Sequence, residues 1–584
     1  MRPSIRDVTP QADARCDYDR AVSDAESKER GAVAVRARLG GPERGALAGA
    51  IARAGQARVA ERVRDCDATL WGPEGTPEIA NRLGWVTIAP RMLGDIDDLA
   101  GFADELAREG TRDVVLLGMG GSSLAPEVFR RTFQGKERGA GLPRDPQAAP
   151  RLSVLDSTNA GAVRAVTEAI DPRRTLFLVS SKSGGTIEPL SMLAHFWESV
   201  PDGARFAAIT DPGSGLERVA RERGFRRVFH GDPEIGGRYS ALSPFGIVPA
   251  ALIGVDVAGL LEGAAAAWDT PIEGDDPTAA PAWLWLGAAL GALARVGRNK
   301  LTFQVAPALD GLGLWLEQLF AESTGKHGTG ILPVAEEPLG EPDAYGEDRV
   351  FVHISDVRGP EEQVEQRLDA LAAAGHPTIT IPTSGPADLG RVFMLAELCV
   401  AVAGWELSIN PFDQPNVQEA KDATRKVLGA IEQGNAPAAP AGASNEELVE
   451  LLGGTAPPAY VAIMGYVEPS AAFDAAVGEL RGTLMRARRV TTTFGYGPRF
   501  LHSTGQFHKG GPPVGRFLQL LHDSAPDVEI PGQPYSFTTL EHAQADGDLQ
   551  TLRAHALPAG RVTLGGGEPA AALRALTTKI GEML

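Results

Sequence analysis

The chain has 584 residues, of which 43% are hydrophobic and 22% charged, and its formal net charge is −19. At roughly 100–200 residues per domain this is enough for about three or four globular units with a large core. The negative charge excludes unaided binding to nucleic acid or to an anionic membrane, while a local basic pocket for a small phosphate ester stays compatible with it.

The N-terminus opens with Met1-Arg2-Pro3-Ser4 and stays polar, so no secretory signal is expected there. Residues 1–110 read as a helical N-terminal region. Within it, 53–64 is mostly Ala, Val, Arg and Glu, and 95–109 spaces its apolar residues for one helical face. From residue 111 the pattern alternates. Val114-Val115-Leu116-Leu117 is a β-branched and apolar run ending in glycines, which predicts a buried strand, and a helix-like segment follows from about Ser123. Further strands are expected at 152–155, 176–180 and 206–210, with helices at 162–169 and 189–197 between them. Strands alternating with helices predict a parallel sheet covered on both faces.

The apolar run 279–294 contains Trp283, Leu284, Trp285 and Leu286. Spanning a bilayer takes about 20 apolar residues, so a buried helix is the expectation. A second alternating block begins near residue 300. Its strands are expected at 301–305, 350–354 and 378–381, and its helices at 312–321, 361–373 and 392–405. Two similar blocks suggest an internal duplication. Residues 435–444 (NAPAAPAGAS) read as a linker or exposed loop. Residues 459–584 alternate again, with strands at 460–466 and 490–494 around a helix that ends near Arg488. The three cysteines, Cys16, Cys66 and Cys399, have neither metal-ligand nor redox spacing. That predicts a reducing compartment without a disulfide framework, and a cytoplasmic location by elimination.

Two loops follow expected strands. The first is Gly118-Met119-Gly120-Gly121-Ser122-Ser123, and the second is Ser180-Ser181-Lys182-Ser183-Gly184-Gly185-Thr186. Ligands of open α/β sheets sit beyond the carboxyl ends of strands, and a helix N-terminus there attracts anions. Hydroxyls of Ser181, Ser183 and Thr186 can donate to phosphate oxygens, and glycines let the backbone approach closely. Each loop also has a bland reading as a strand-to-helix turn with a serine cap. The first loop lacks the full G-x-G-x-x-G and the second lacks G-x-x-x-x-G-K-[ST], so an NTPase is disfavoured. A terminal phosphate on a small metabolite fits three hydroxyls and a lysine within six residues.

The two loops resemble those of the sugar isomerase (SIS) domain, and later segments sharpen the likeness. Gly236-Gly237-Arg238-Tyr239-Ser240 resembles the G-G-R-[YF]-S signature of phosphoglucose isomerases, and Glu322-Ser323-Thr324-Gly325-Lys326 their E-S-x-G-K segment. Gln414-Pro415-Asn416-Val417 through Lys421 resembles their Q-x-x-V-x-x-x-K segment, and His502-Ser503-Thr504-Gly505-Gln506 their histidine segment. The likeness covers roughly residues 65–584. Around His502 it is similar to the isomerase half of bifunctional transaldolase–phosphoglucose isomerase proteins, although too few residues precede the first loop to form a transaldolase barrel. In most of the family the histidine segment lies between the glutamate and the Gln…Lys segment, whereas here His502 follows Lys421 by about 80 residues. His508 is the competing histidine.

The resemblance implies an α/β fold with two sugar isomerase domains, each a parallel sheet flanked by helices. They are expected at 111–299 and 300–434, after the helical region 1–110. Residues 435–584 are expected to form a linker and a C-terminal segment that completes the second domain. The resemblance also implies reversible isomerisation of glucose 6-phosphate and fructose 6-phosphate through a cis-enediolate. Glu322 would be the base, Arg238 would stabilise the enediolate, and Lys421 with His502 would open the ring. Gly121, Ser122, Ser181, Lys182, Ser183 and Thr186 would hold the phosphate, with Lys182 acting mainly through its backbone N–H. Gln318 and Gln414 would contact the substrate. Each has a plainer alternative: Glu322 as a solvent-facing helix-end glutamate, Arg238 as a turn arginine, Lys421 and Lys182 as solvated lysines. The remaining histidines, His327 and His542 among them, show no metal spacing, and the reaction runs without one, so neither metal nor cofactor is expected. The implied partners are a sugar phosphate and a second subunit in a homodimer that shares the active site, with no nucleic acid and no membrane. Two other readings stay open: dual specificity for mannose 6-phosphate, and a non-catalytic sugar-phosphate sensor.

Overall fold

Strands form where β-branched and apolar runs are cut off by glycine or by a polar turn. The computed structural model describes residues 34–134, 149–273, 280–435, 442–565 and 567–584. Cys16 and most of the expected 435–444 linker lie outside these residues. Among the described residues the strands are β1 (Arg36–Arg38), β2 (Asp113–Leu117), β3 (Arg151–Leu155), β4 (Thr175–Ser180), β5 (Phe206–Thr210), β6 (Arg227–His230) and β7 (Lys300–Val305). They continue with β8 (Leu332–Val334), β9 (Arg349–Asp356), β10 (Thr378–Thr383), β11 (Tyr460–Tyr466), β12 (Thr491–Tyr496), β13 (Gly515–Leu521) and β14 (Ala559–Thr563).

The first sheet runs β3-β2-β4-β5-β6, all parallel. Every residue of β2 and β4 is buried, as a central strand covered on both faces requires. Because β3 and β4 lie on opposite sides of β2, the connections leaving β2 and β4 diverge. A crevice opens at their carboxyl ends, between the loops 118–123 and 181–186. The second sheet has the order β1-β10-β9-β7-β8, in which β7 to β10 are parallel and β1 adds antiparallel to the edge. The parallel part repeats the strand order of the first sheet.

Three expectations differ from the structure here. Residues 459–584 add no strand to the second sheet: β11 to β14 form a four-stranded parallel sheet of their own, β12-β11-β13-β14, with the same strand order once more. One face has a core built on Val461, Ile463, Phe473, Leu480, Leu518 and Leu573, and the other packs through Tyr460, Ala462 and Met464 on Ala321, Leu332 and Val334 of the second block. The N-terminal region is not purely helical either, since β1 pairs with β10. The single helix expected over 53–64 is two helices, Gly41–Gln56 and Val59–Arg64, broken where Arg58 turns left-handed at φ 53° and lets Val59 and Val63 bury completely.

From Ala282 onward the apolar run forms the helix Ala282–Arg295, packed on Leu389–Glu406. No helix among the described residues is long and apolar enough to cross a membrane. One continuous core joins the N-terminal helices to the first and second sheets. A second cluster joins the first sheet to Val427, Leu428, Phe537 and Leu540, which fastens the C-terminal helix Phe537–Ala554 to the first sheet.

Candidate active site

Four segments meet at the crevice of the first sheet. The first is the loop after β2, tightened into a 3-10 turn at Gly120–Ser122 before the helix Leu124–Gln134. A Cβ on Gly121 would stand 2.0 Å from the Gly237 carbonyl oxygen, so only glycine lets this loop lie against the second segment, Gly236–Ser240. Ser122 is buried in the same turn, and Ser240 Oγ donates to the Gly121 carbonyl at 3.3 Å. The third segment is the helix Leu312–Thr324, and the fourth is the 3-10 turn Arg499–His502 after β12.

All thirteen residues of Leu312–Thr324 are buried. Glu322 is therefore not a solvent-facing helix end. It is 7% exposed and lies 3.4 Å from Arg238. Burial holds its carboxyl above the ordinary carboxylate range, against the opposing pull of Arg238 and of Gln318. Arg238 is 1% exposed and fully committed. Its Nε donates to Ser323 Oγ at 2.9 Å, one terminal nitrogen to Gln414 Oε1 at 2.7 Å, and the other to the carbonyls of Pro411 and Asp413 at 2.7 and 2.9 Å. Lys326 grips the same segment, with Nζ 2.7 Å from the Asn410 carbonyl, 2.6 Å from the Asp413 carbonyl and 2.7 Å from Asp413 Oδ1. Burial and the Arg238 charge push Lys326 down to about 7, yet three acceptors around one nitrogen need the three donors of the ammonium form.

Gln318 sits one turn before Glu322. Its amide nitrogen donates to the His502 carbonyl at 2.8 Å and lies 3.4 Å from Glu322 Oε1, while its own oxygen is buried without a partner. The backbone of His502 is thereby pinned beside Gly120 and Glu322. The His502 ring pairs elsewhere, Nε2 to Glu188 Oε1 at 2.9 Å. Burial alone would raise Glu188, but the charge and hydrogen bond of His502, with Lys421 further off, hold it below its usual value. Lys421 is half-buried on the helix Val417–Glu432, near enough for its charge to act on Glu188. Gln506 ties the histidine segment to the rest, accepting from the Asn416 backbone N–H at 2.9 Å and donating to the Gly325 carbonyl at 2.9 Å.

His508 lies apart from this group. It is buried in the third unit, stacked on Tyr460 with Nδ1 3.1 Å from the tyrosine oxygen, and burial with the Lys509 charge pushes it down to about 3.

The loop 181–186 leads into the helix Ile187–Ser199, which carries Glu188 in its first turn. Gly184 takes φ +66°, and a Cβ there would meet the Leu216 backbone nitrogen at 2.5 Å. Ser181 Oγ donates to Thr186 Oγ1 at 3.2 Å, and Ser183 is exposed. Lys182 turns its ammonium away from the loop, to Asp211 Oδ2 at 2.6 Å and the Asp232 carbonyl at 2.9 Å. Its ammonium is therefore paired within the protein, and its backbone N–H is what it offers an anion. A helix N-terminus and a glycine turn bearing three hydroxyls suit a phosphate.

The turn Arg499–His502 thus reaches the crevice of the first sheet of its own chain. Glu188 and Gln544 escaped the sequence reading. An acidic residue in a first helical turn has an ordinary explanation as a dipole complement, and Gln544 lies 356 positions from the Glu188 it touches.

Residues 100–336 match the family model described as phosphoglucose isomerase. The glucose-6-phosphate isomerase of Rubrobacter xylanophilus is 31% identical over 387 residues, 58% of this chain and 88% of that protein. That of Thermus thermophilus is 28% identical over 400 residues, 60% of this chain and 91% of that protein. Among solved structures, a glucose-6-phosphate isomerase of Chlamydia trachomatis superposes with a TM-score of 0.51 at 20% identity, covering 66% of this chain and 86% of that one, which speaks for the fold.

Proposed function

The chain belongs to the phosphoglucose isomerase family, and from that premise we propose that it interconverts glucose 6-phosphate and fructose 6-phosphate. It is an intramolecular aldose–ketose isomerase. The observation that carries the reading is a buried Glu322 carboxyl, held above the usual range, between the Arg238 guanidinium and the His502 segment. A buried glutamate whose carboxyl is held above the ordinary range is suited to act as a general base.

In this reading the phosphate anchors on the 181–186 loop, with the Gly121–Ser122 turn closing over it. His502 gives its proton to the ring oxygen, the anomeric hydroxyl proton passes to solvent through Lys421, which gives up one proton as it receives another, and the ring opens. Glu322 removes the proton from C2. The electron pair of that C–H bond forms C1=C2, and the C1 carbonyl pair moves onto O1. Arg238, fixed and unable to give up its proton, stabilises this enediolate charge. The O2 hydroxyl proton passes to O1, C2=O forms, and Glu322 returns its proton to C1. Gln318, with a free buried oxygen, and Gln414 complete the substrate contacts.

The test is a coupled assay of fructose 6-phosphate conversion on wild type and Glu322→Gln. The expected loss is on the order of 10²-fold or more in kcat. Equal activity in the two would remove Glu322 as the base. A wild type that binds sugar phosphate without turnover would replace the reading with a sensor.

A further inference from the structure

We propose that Gln544 is a positioning residue that fixes His502 through Glu188, so that the third sheet both supplies the histidine and aligns it. The inference rests on the role given to His502 in the proposed reaction.

One carboxylate oxygen carries the geometry. Glu188 Oε1 accepts from His502 Nε2 at 2.9 Å and from Gln544 Nε2 at 2.7 Å. A carboxylate only accepts, so the Gln544 amide must turn its nitrogen to Glu188 and its oxygen the other way. There Thr158 Oγ1 donates to it at 2.7 Å. Thr158, Gln544 and Glu188 are all buried, at 0%, 2% and 4% exposure, so water does not compete for these bonds.

The helix that carries Gln544 is held in place independently. Three residues earlier, Glu541 accepts from Asn159 Nδ2 at 3.0 and 3.2 Å, and Ser524 Oγ donates to Asn159 Oδ1 at 3.1 Å. Thr158 and Asn159 follow β3 of the first sheet, whereas Glu541, Gln544 and Ser524 belong to the C-terminal region. The histidine and its clamp therefore reach the first sheet from the same C-terminal region.

With Nε2 on Glu188, Nδ1 is the ring nitrogen left for exchanging a proton with substrate. A carboxylate held by two donors cannot swing, so the ring keeps one orientation. The ionisable groups whose charges act in this corner are Glu188, Glu322 and Lys421, with Glu541 one turn along the helix from Gln544.

Gln544→Leu keeps the volume and removes the donor. The expected result is a kcat for fructose 6-phosphate lower by about tenfold with KM within about twofold, since misorientation acts on the chemical step. The alkaline limb of the kcat–pH profile moves to higher pH, because a Glu188 relieved of one donor holds the imidazolium more strongly. Thr158→Val frees only the amide oxygen of Gln544 and gives a smaller shift in the same direction, which keeps the test decisive if Gln544→Leu does not fold. His502→Asn separates the two claims: wild-type turnover in that variant removes the histidine from the reaction altogether. If His502→Asn is inactive while the Gln544 and Thr158 variants keep the wild-type profile, the positioning role is overturned. A kcat loss with an unmoved profile overturns it too, since general loosening of the helix would produce that.

Discussion

Replacing Arg238 by lysine keeps a positive charge and removes the guanidinium fork. Arg238 reaches five partners: Ser323, Gln414, the carbonyls of Pro411 and Asp413, and Glu322 at 3.4 Å. An ammonium has three donors, so at least two of these five lose theirs. At about 1–3 kcal/mol for each buried acceptor left unpaired, the variant is less stable by on the order of 2–6 kcal/mol. The site also loses the rigid placement of a positive charge where negative charge develops, a loss of about 10²–10³-fold in kcat. Stability is read from the denaturant midpoint of tryptophan fluorescence, because Trp85 stacks on Tyr239 at 5.1 Å, next to the substituted residue. Turnover is read from the coupled assay. A variant that unfolds at the wild-type midpoint and turns over within about threefold of wild type would show that the fork does neither job, and the reasoning would be wrong.

Glu541 links pH to the contact between the first and third sheets. Burial, reinforced by Asp523 and Asp527 and opposed by the Asn159 hydrogen bonds, pushes its carboxyl up to about 8. The folded chain then binds one more proton than the unfolded chain between the ordinary glutamate value of 4.5 and about 8. Its contribution is complete below that window and lost as pH rises through it, at most about 5 kcal/mol; Glu541→Gln should flatten this part of the stability–pH curve. A slope unchanged in the variant would show that Glu541 is not its source. The two histidines give a third prediction. His502→Asn should lower kcat by about 10²-fold or more, whereas His508→Phe, buried against Tyr460, should lower stability by about 1–3 kcal/mol through the tyrosine hydroxyl it leaves unpaired and keep kcat within about threefold. The reverse ranking would reassign the ring-opening group.

Much of the fold was legible along the chain because burial on both faces writes itself locally. Val114 to Leu117, Phe206 to Thr210 and Tyr460 to Tyr466 are continuous apolar or β-branched runs, and their strands begin or end within one residue of expectation. Other strands hide their character. Pro333 interrupts the three-residue β8, which survives as a sheet edge. In β13 and β14, Gln519 and Arg561 look like surface residues, yet they pair with each other at 2.5 Å inside the third unit.

The site divides along the same line. Short motifs were enough to single out Arg238, Glu322, Gln414 and the 181–186 loop, because glycines, hydroxyls and one acid at fixed spacing are local signatures. What those groups touch is set by packing between segments far apart in sequence. The pairing of Lys182 with Asp211, the placing of His502 at the crevice and of His508 away from it, and the Thr158–Gln544–Glu188–His502 chain exist only once three sheets are packed together. The sequence by itself determined which chemistry the chain carries. The tertiary structure alone decided that residues 459–584 form a third sheet and that this sheet brings the histidine to the crevice. Strand order and the meeting of residues more than 300 positions apart depend on burying surfaces against one another, and no local run of residues encodes that.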